Sequence, residues 1–205
     1  MMGTLLRVPS QQNMPNKYNP AIHHRRSIRL NDYDYTQAGA YFITICSWGR
    51  ECLFGDILDG KLQLNEFGQI IEREWLHTGI VRSNVILDAH IVMPNHIHGI
   101  IILNDIVGAT RRVAQNRANH RIAPTEKSIG PISDSIGAII GQFKSIVTKQ
   151  INQIRNTPGI PVWQRNYYEH IIRDEDEMSR IREYIIHNPL QWTEDKNNPV
   201  NIVRT

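Results

Sequence analysis

The chain has 205 residues, of which 40% are hydrophobic and 21% are charged, and it carries a formal net charge of +3. This length suits one domain with a substantial core, and no apolar run is long enough to span a bilayer. Two cysteines, Cys46 and Cys52, are too few for a disulfide framework or a thiolate metal knuckle, which indicates a reducing cytoplasm.

The N-terminal half predicts a strand, a hairpin and a helix, in that order. Residues 40–47, AYFITICS, are rich in β-branched and aromatic side chains and predict the first strand. Asp59-Gly60 stands between short apolar stretches, which is a strong signal for a β-hairpin. Asn65 then predicts the N-cap of a helix that extends to about Thr78 and ends at Gly79.

Three extended segments and a loop are predicted further along. Residues 84–93 and 96–103 predict strands that are joined by a tight turn at Pro94-Asn95. The stretch 104–131 is polar, basic and aperiodic, which predicts a long mobile loop. Residues 162–172 are predicted to be extended in part.

Two helices complete the pattern. Ser133 or Ser135 begins a helix that reaches about Asn156 and carries an apolar stripe along one side. Asp174 predicts the cap of the last helix, which ends at Asn188 because the proline that follows disfavours helical backbone before it.

The predicted order of the core elements is β-α-β-β-α-β, the split βαβ arrangement of a ferredoxin-like α+β sandwich. Its antiparallel sheet is expected to bury one face under helices and to leave the other face available. We expect one domain over residues 25–192, with a flexible polar lead-in at 1–24 and a C-terminal tail at 193–205.

Basic residues cluster in three stretches, and such stripes are typical of proteins that bind a phosphate backbone. The clusters are Arg25, Arg26 and Arg29; Arg111, Arg112, Arg117, Arg121 and Lys127; and Arg165, Arg173, Arg180 and Arg182. A solvated surface balanced by the acidic run 174–177 is the alternative, and charge alone does not decide between the two.

His96 and His98 lie two residues apart on a predicted strand. Because side chains alternate along a strand, both imidazoles point to one face, where they make a half-site for a divalent metal. The two-residue turn before His96 places Met93 opposite His96 and Ile91 opposite His98, which leaves His90 on the other face. Two surface histidines on a half-exposed strand are the alternative.

Tyr184 precedes Asn188 by one turn of a predicted helix, so the phenol and the amide share a face. The amide oxygen could complete a metal site that two histidines begin. A phenol is a weak nucleophile until it is activated, and a metal that polarises a phosphate makes its attack feasible. An interior helical tyrosine, taken alone, is more often a core residue.

Four segments of the chain resemble, in the same order, the HUH single-tyrosine transposases. They are RRSIRLNDYDYTQAGAYFITICSWGRECLFG, DAHIVMPNHIHGIIIL, SIGAIIGQFKSIVTKQIN and VWQRNYYEHIIRDEDEMSRIREYIIHNPLQW. The second segment resembles the family's histidine strand, the third resembles a helix of its REP-associated branch, and the fourth includes the tyrosine helix. Together they span residues 25–192.

The resemblance implies an enzyme that cleaves and rejoins single-stranded DNA at hairpin-forming ends through a 5′-phosphotyrosine. Tyr184 matches the nucleophile, and His96, His98 and Asn188 match the residues that hold Mg2+ or Mn2+. Many relatives have glutamine at the position of Asn188, and the REP-associated branch commonly has asparagine. The implied partner is DNA with hairpin or palindromic ends, and the implied state is a monomer or homodimer in the cytoplasm, at the nucleoid.

Basic and aromatic side chains are candidates for contacts with this DNA. They are Arg25, Arg26, Arg29, Lys144, Lys149, Trp163, Arg165, Tyr167 and Tyr168. The three aromatic residues could stack unpaired bases. Burial in the core of the sheet is the equally open alternative for them.

Two other functions are open on the sequence alone. A catalytically silent protein could bind DNA hairpins with the same fold, although a mere binder needs neither the histidine pair nor the tyrosine and asparagine. An RNA-binding module is expected to carry aromatic stacking residues within its sheet strands. Because His-x-His occupies a central strand here, we rank that hypothesis last.

Overall fold

The computed structural model describes residues 36–104 and 134–202. Its strands are β1 Gly39–Cys46, β2 Gly55–Leu58, β3 Lys61–Leu64, β4 Val85–Met93, β5 His96–Leu103 and β6 Tyr168–Ile172. Its α-helices are α1 Glu66–Val81, α2 Ile136–Ile154, α3 Glu175–His187 and α4 Pro199–Ile202, and short 3-10 helices cover Trp48–Arg50 and Asn188–Glu194. Three predicted features lie outside the described residues: the lead-in 1–24, the basic cluster Arg25, Arg26 and Arg29, and all but the first residue of the loop 104–131.

The main sheet has four antiparallel strands in the order β4-β5-β1-β6, and β2 and β3 form a separate hairpin. With α1 before β4 and α2 before β6, this is the predicted ferredoxin-like split βαβ arrangement, and the α+β prediction is confirmed. The hairpin turn has positive φ at both Asp59 (51°) and Gly60 (71°), as a two-residue turn between twisted strands requires.

Side-chain caps begin each of the three long helices. The side-chain oxygens of Asn65, Ser135 and Asp174 accept hydrogen bonds from backbone N–H groups of the first turn, so Ser135 is the cap of α2. The predicted end of α1 at Gly79 is wrong, because the helix continues to Val81. A Cβ at Gly79 would lie 3.2 Å from Leu87, which shows that this glycine permits the close approach of β4.

Helices cover both faces of the sheet, and not one face as expected. Residues such as Tyr41, Ile43 and Ile97 pack under α1 and α2 in the larger core. On the other face, Met178 and Ile185 of α3 pack in a smaller cluster with Phe42, Ile100 and Ile172. His98 lies on this second face, where its ring stacks on Phe42. None of the helices in the described ranges is long and apolar enough to cross a membrane.

The register between β4 and β5 determines which side chains face α3. Ile91 pairs with His98 and Met93 pairs with His96, as predicted. His90 points to the opposite face, where its ring centroid lies 6.4 Å from that of Trp75 in α1. A register shift between Leu87 and His90 marks a bulge in β4.

Candidate metal centre and tyrosine site

His96 and His98 converge on one point of the second face of the sheet. They are 0% and 2% exposed, so the alternative of two surface histidines is wrong. Ile97 between them is fully buried in the larger core and anchors β5 from the other side. The two Nε2 atoms lie 3.0 Å apart.

Asn95 determines which nitrogen of His96 carries the proton. The amide nitrogen of Asn95 donates to the carbonyl oxygens of Arg50 (2.8 Å) and Asn197 (2.7 Å). Its amide oxygen must therefore accept the hydrogen bond from His96 Nδ1, 2.8 Å away. With the proton on Nδ1, the lone pair of His96 is on Nε2, beside His98.

His98 is held from the neighbouring strand β1 in a similar way. Its Nδ1 lies 2.8 Å from the hydroxyl of Thr44, its partner in the register of β1 and β5. A hydroxyl can accept a hydrogen bond from Nδ1–H, which leaves the Nε2 lone pair free to bind a cation. The ring also stacks on Phe42, with centroids 5.3 Å apart.

Burial keeps both imidazoles neutral. Removal from water lowers the pKa of His98 to about 3, and the positive charge of Lys196 acts in the same direction. Burial also lowers the pKa of His96 well below its ordinary value, with smaller contributions from His98, Arg50 and Lys196. Neutral imidazoles offer lone pairs, which is the state that binds metals.

Tyr184 on α3 faces this pair of histidines. Its hydroxyl lies 3.3 Å from His98 Nε2, and its ring packs edge-on against Phe42 with centroids 6.1 Å apart. The residue is 37% exposed, so it is not a core residue. Burial of the hydroxyl and the nearby charge of Asp195 raise the pKa of the phenol, and the Asn188 amide opposes this shift.

Asn188 follows α3 and is 1% exposed. Its side-chain oxygen has no hydrogen-bond partner among the described residues. A buried amide oxygen without a partner is costly, and a bound cation is one way to satisfy it. The oxygen is therefore a candidate ligand, as the sequence predicts.

Asp195 was missed by the sequence analysis, which assigned residues 193–205 to a tail. The 3-10 helix Asn188–Glu194 turns the chain back toward the sheet, and the Asp195 side chain is only 4% exposed. Its Oδ2 lies 4.0 Å from His96 Nε2, and donor atoms of His96, His98 and Asp195 all lie within 4.8 Å of one another. These three residues could hold a metal ion. No local pattern in the sequence indicates this return.

The donor set fits a divalent cation. Ligands at about 2.1 Å and at right angles to each other are about 3.0 Å apart, as the two Nε2 atoms are. Two lone pairs at this separation repel each other, and a shared cation removes the repulsion. Neutral imidazoles with amide and carboxylate oxygens are a mixed nitrogen and oxygen set that suits several divalent ions.

An ion pair holds α3 against the sheet. Arg182 donates through Nε (2.9 Å) and Nη2 (2.8 Å) to both carboxylate oxygens of Asp88, which is in the bulge of β4. Its Nη1 also donates to Glu175, about two turns earlier on the same helix. This bidentate contact lies two residues before Tyr184 and restrains the rotation of the helix.

Three of the predicted DNA-contact residues in the described ranges lie away from the histidine pair or are not accessible. Trp163 is 5% exposed and packs between Phe54 and Phe143 in the larger core, so its ring is not accessible for stacking. Lys144 is also withdrawn, because its ammonium donates to the backbone carbonyl oxygens of residues 164–166. Lys149 is exposed on α2, which covers the sheet face away from the histidines.

The remaining candidates lie beside the site. A cavity of roughly 360 Å3 adjoins His98 and Tyr184, and Tyr167 and Tyr168 contribute to its wall. Tyr168 is 47% exposed, and Arg165 is exposed in the segment that leads to it. The structure therefore brings together the histidine pair, the tyrosine, the asparagine and two of the three aromatic candidates.

A relative of known sequence has nearly the same length. An uncharacterized protein of Haemophilus influenzae (strain ATCC 51907 / DSM 11121 / KW20 / Rd) is 44% identical over 184 residues, which are 89% of this chain and 98% of that protein. The chain belongs to the same protein family. No protein-family model matches the sequence.

Two solved structures match the chain, one of a transposase and one of a candidate transposase. The REP-associated tyrosine transposase, in a structure bound to a REP hairpin, has a TM-score of 0.48 and 18% identity over 80% of this chain and 74% of that one. A candidate transposase from Deinococcus radiodurans has a TM-score of 0.35 and 15% identity over 80% of this chain and 98% of its own.

Proposed function

We propose that this family member is a metal-dependent tyrosine transposase that cleaves and rejoins single-stranded DNA at hairpin-forming ends. The observation that carries the proposal is the approach of the Tyr184 hydroxyl to His98 Nε2, at 3.3 Å, beside the convergent Nε2 of His96. A nucleophile beside a metal half-site is the arrangement that phosphoryl transfer to a side chain needs. The ordered sequence resemblance to HUH transposases supports the same function.

His96, His98 and an oxygen from Asn188 or Asp195 would hold the metal, which we propose to be Mg2+ or Mn2+. When bound, such an ion acts as a Lewis acid that polarises a phosphate oxygen. Asn95 and Thr44 position the two imidazoles through their Nδ1 atoms. Outer partners of this kind fix the orientation and the tautomer of ligating histidines.

The reaction of Tyr184 is an in-line displacement at phosphorus. Its phenolic oxygen forms the new bond to phosphorus, the bond to the 3′-oxygen of the preceding nucleotide breaks, and the phenolic proton ends on that oxygen. The products are a 5′-phosphotyrosine and a free 3′-hydroxyl. Attack by another 3′-hydroxyl returns the proton to Tyr184 and joins new ends, so that no nucleotide cofactor is consumed.

The raised pKa of Tyr184 is compatible with this reaction. Burial and the charge of Asp195 keep the phenol protonated before DNA binds. The hydroxyl must therefore lose its proton as the bond to phosphorus forms. The negative charge that develops on the reacting oxygens is then stabilised in the transition state and not in the ground state. The restraint of α3 by Arg182 and Asp88 holds the oxygen in position for this step.

The proposed DNA contacts are the exposed Arg165 and Tyr168 and the half-buried Tyr167 beside the site, together with Arg25, Arg26 and Arg29 in the N-terminal region. Lys149 is a contact only for DNA that wraps around the edge of the sheet. We propose that the protein acts in the cytoplasm, at the nucleoid. Whether one chain or two complete the reaction is part of the test.

Covalent adduct formation tests the proposal. A pool of single-stranded hairpin oligonucleotides is incubated with the protein and Mn2+ or a chelator, and the products are separated on a denaturing gel. We expect an adduct that needs Mn2+, disappears in Tyr184→Phe and persists in Tyr41→Phe. Tyr41 is the matched control because its hydroxyl bonds Gln37 on the far side of the sheet.

Two other results would contradict the proposal, and a third would show how many chains form the active site. An adduct that survives in Tyr184→Phe would assign the nucleophile to another tyrosine. Hairpin binding without an adduct over the whole pool would favour the catalytically silent hairpin-binding protein. Adducts restored by mixing Tyr184→Phe with His98→Ala would show that tyrosine and histidines are contributed by different chains.

A further inference from the structure

We infer that the cavity beside Tyr184 binds one unpaired nucleotide next to the scissile phosphate, and that Gln164 and Asn166 select its base. The inference rests on the proposed function and names the part of the substrate that this site recognises. The cavity, of roughly 360 Å3, is lined by both His98 and Tyr184. A nucleotide in it is therefore adjacent to the atoms that react. The volume is at the lower end of the range for small-molecule sites, about 300–1,000 Å3.

The charge of the cavity favours an anion. Arg50 and Lys196 line it, and no aspartate or glutamate is among its lining residues in the described part of the chain. Arg50 donates through Nη1 to the carbonyl oxygen of Lys196, which holds the Arg50 guanidinium against the Lys196 backbone. A phosphate group that enters the cavity meets these two cations, and the Asp195 carboxylate, which acts on Tyr184 from beside His96, is not part of the lining.

An unsatisfied buried donor belongs to a residue of the same wall. Asn197 lines the cavity and is 4% exposed, yet its Nδ2 has no hydrogen-bond partner among the described residues. The amide oxygen of the same side chain accepts a contact from the Cys46 thiol at 4.0 Å, so the nitrogen is the free end. Buried donors are almost always paired, and a phosphate or base oxygen would pair this one.

An aromatic surface closes the cavity on another side. Tyr168 is 47% exposed, and its ring meets that of Phe42 at 69° with centroids 6.3 Å apart. Both residues line the cavity. The exposed face of Tyr168 can stack a base, and stacking accepts any base because every base has a π face. Stacking on Tyr168 thus contributes to affinity for any base, and the choice of one base over another requires hydrogen-bonding groups.

Gln164 and Asn166 provide such groups. Both line the cavity, and neither side-chain amide has a hydrogen bond to the described residues. Their backbone is held by Lys144, whose ammonium donates to the carbonyl oxygens of Gln164 (2.6 Å) and Asn166 (3.4 Å). A carboxamide presents a donor and an acceptor together, so a pair of them on a fixed wall can distinguish the edges of the bases.

Sequencing of cleavage products tests the inference. The substrate is a single-stranded library in which a fixed hairpin is flanked by randomised nucleotides, cleaved with Mn2+ present. We expect the wild type to prefer one base at a position adjacent to the scissile phosphate. Gln164→Ala and Asn166→Ala should each reduce that preference about tenfold while the hairpin requirement stays. Gln69→Ala, an exposed amide on α1 across the sheet, is the matched control.

Each other outcome has a defined meaning. Variants that keep the wild-type preference, or a wild type with no preference beside the cut, would overturn the inference and leave the transposase proposal intact. If no library member is cleaved, the transposase proposal fails, and the same library is then selected for binding to Tyr184→Phe. If the same library members are then enriched by Tyr184→Phe with and without the additional change Gln164→Ala, the inference that this cavity selects a base is overturned as well.

Discussion

The Asp195 carboxylate offers a direct test of the metal centre, because replacement by asparagine removes one negative charge and keeps the shape of the side chain. Asp195 is 4% exposed on its side chain, and its Oδ2 lies 4.0 Å from His96 Nε2. The change leaves the amide oxygens of residue 195 and Asn188 as candidate ligands and removes the carboxylate of the cluster His96, His98 and Asp195. We expect weaker binding of Mn2+ and no loss of folded structure.

The size of the effect follows from Coulomb's law. A divalent ion between His96 and Asp195 lies no more than about 4 Å from the carboxylate, and the two interact by about 2 kcal/mol even at the dielectric constant of water. This energy corresponds to a roughly 30-fold increase in the Kd for Mn2+. Because the site is buried, the effective dielectric constant is lower than that of water, and 30-fold is a lower bound.

Titration of Mn2+ without DNA, followed by the electron paramagnetic resonance signal of the free ion, measures this Kd apart from catalysis. His98→Ala should abolish binding, and Glu194→Gln, an exposed neighbour on the preceding 3-10 helix, should leave it unchanged. A Kd for Asp195→Asn within about threefold of the wild type would refute the reasoning. Asn188→Ala measured beside it would then identify Asn188 as the oxygen ligand if it alone weakens binding.

Three further predictions concern the framework of the site. Gly99→Ala would place a methyl group 2.3 Å from the buried Trp75 ring, so urea titration should show that the free energy of unfolding falls by about 1–3 kcal/mol. An unchanged midpoint would mean that the ring can move aside. The hydrogen bond from Arg182 lowers the pKa of Asp88, so its contribution is present above the unfolded pKa of about 3.9 and is lost as pH falls through the lower folded value. The difference in free energy of unfolding between the wild type and Arg182→Ala should therefore shrink as the pH is lowered from about 7 to about 2.5. A difference that does not change with pH would mean that Arg182 stabilises the protein through packing. Trp163→Ala should lower the free energy of unfolding by about 3–5 kcal/mol. Tyr168→Ala should leave stability unchanged and weaken single-strand binding by about 1–3 kcal/mol. The opposite pattern would contradict the burial of Trp163 and the exposure of Tyr168.

Several site features follow from rules that act over a few residues. The alternation of side chains along a strand puts His96 and His98 on one face, and the short turn at Pro94-Asn95 determines that Ile91 and Met93 are their partners. Caps at Asn65, Ser135 and Asp174 are also local, since an oxygen and nearby N–H groups of one turn suffice. These parts of the fold could be predicted because the interacting groups are neighbours in the chain.

The errors arise where a contact joins distant parts of the chain. Gly79 has the residue type of a helix end, but the packing of Leu87 against it decides its role. Trp163 and Tyr168 both lie in the segment 162–172, which was predicted to be extended in part. Trp163 is in the core and Tyr168 is at the surface, because different elements pack against them. Lys144 has the charge of a DNA contact, but carbonyl groups some 20 residues later take its hydrogen bonds.

The sequence by itself determined the order of the elements, the shared face of the two histidines and the spacing of about one helical turn between Tyr184 and Asn188. Only the tertiary structure decided that Tyr184 meets His98, that Asn95 sets the tautomer of His96 through bonds to Arg50 and Asn197, and that Asp195 returns to the site. The physical reason is range: periodicity and capping are settled within a turn or a strand, whereas these contacts exist only after the α3 helix has packed on the sheet and brought the following segment back to β5.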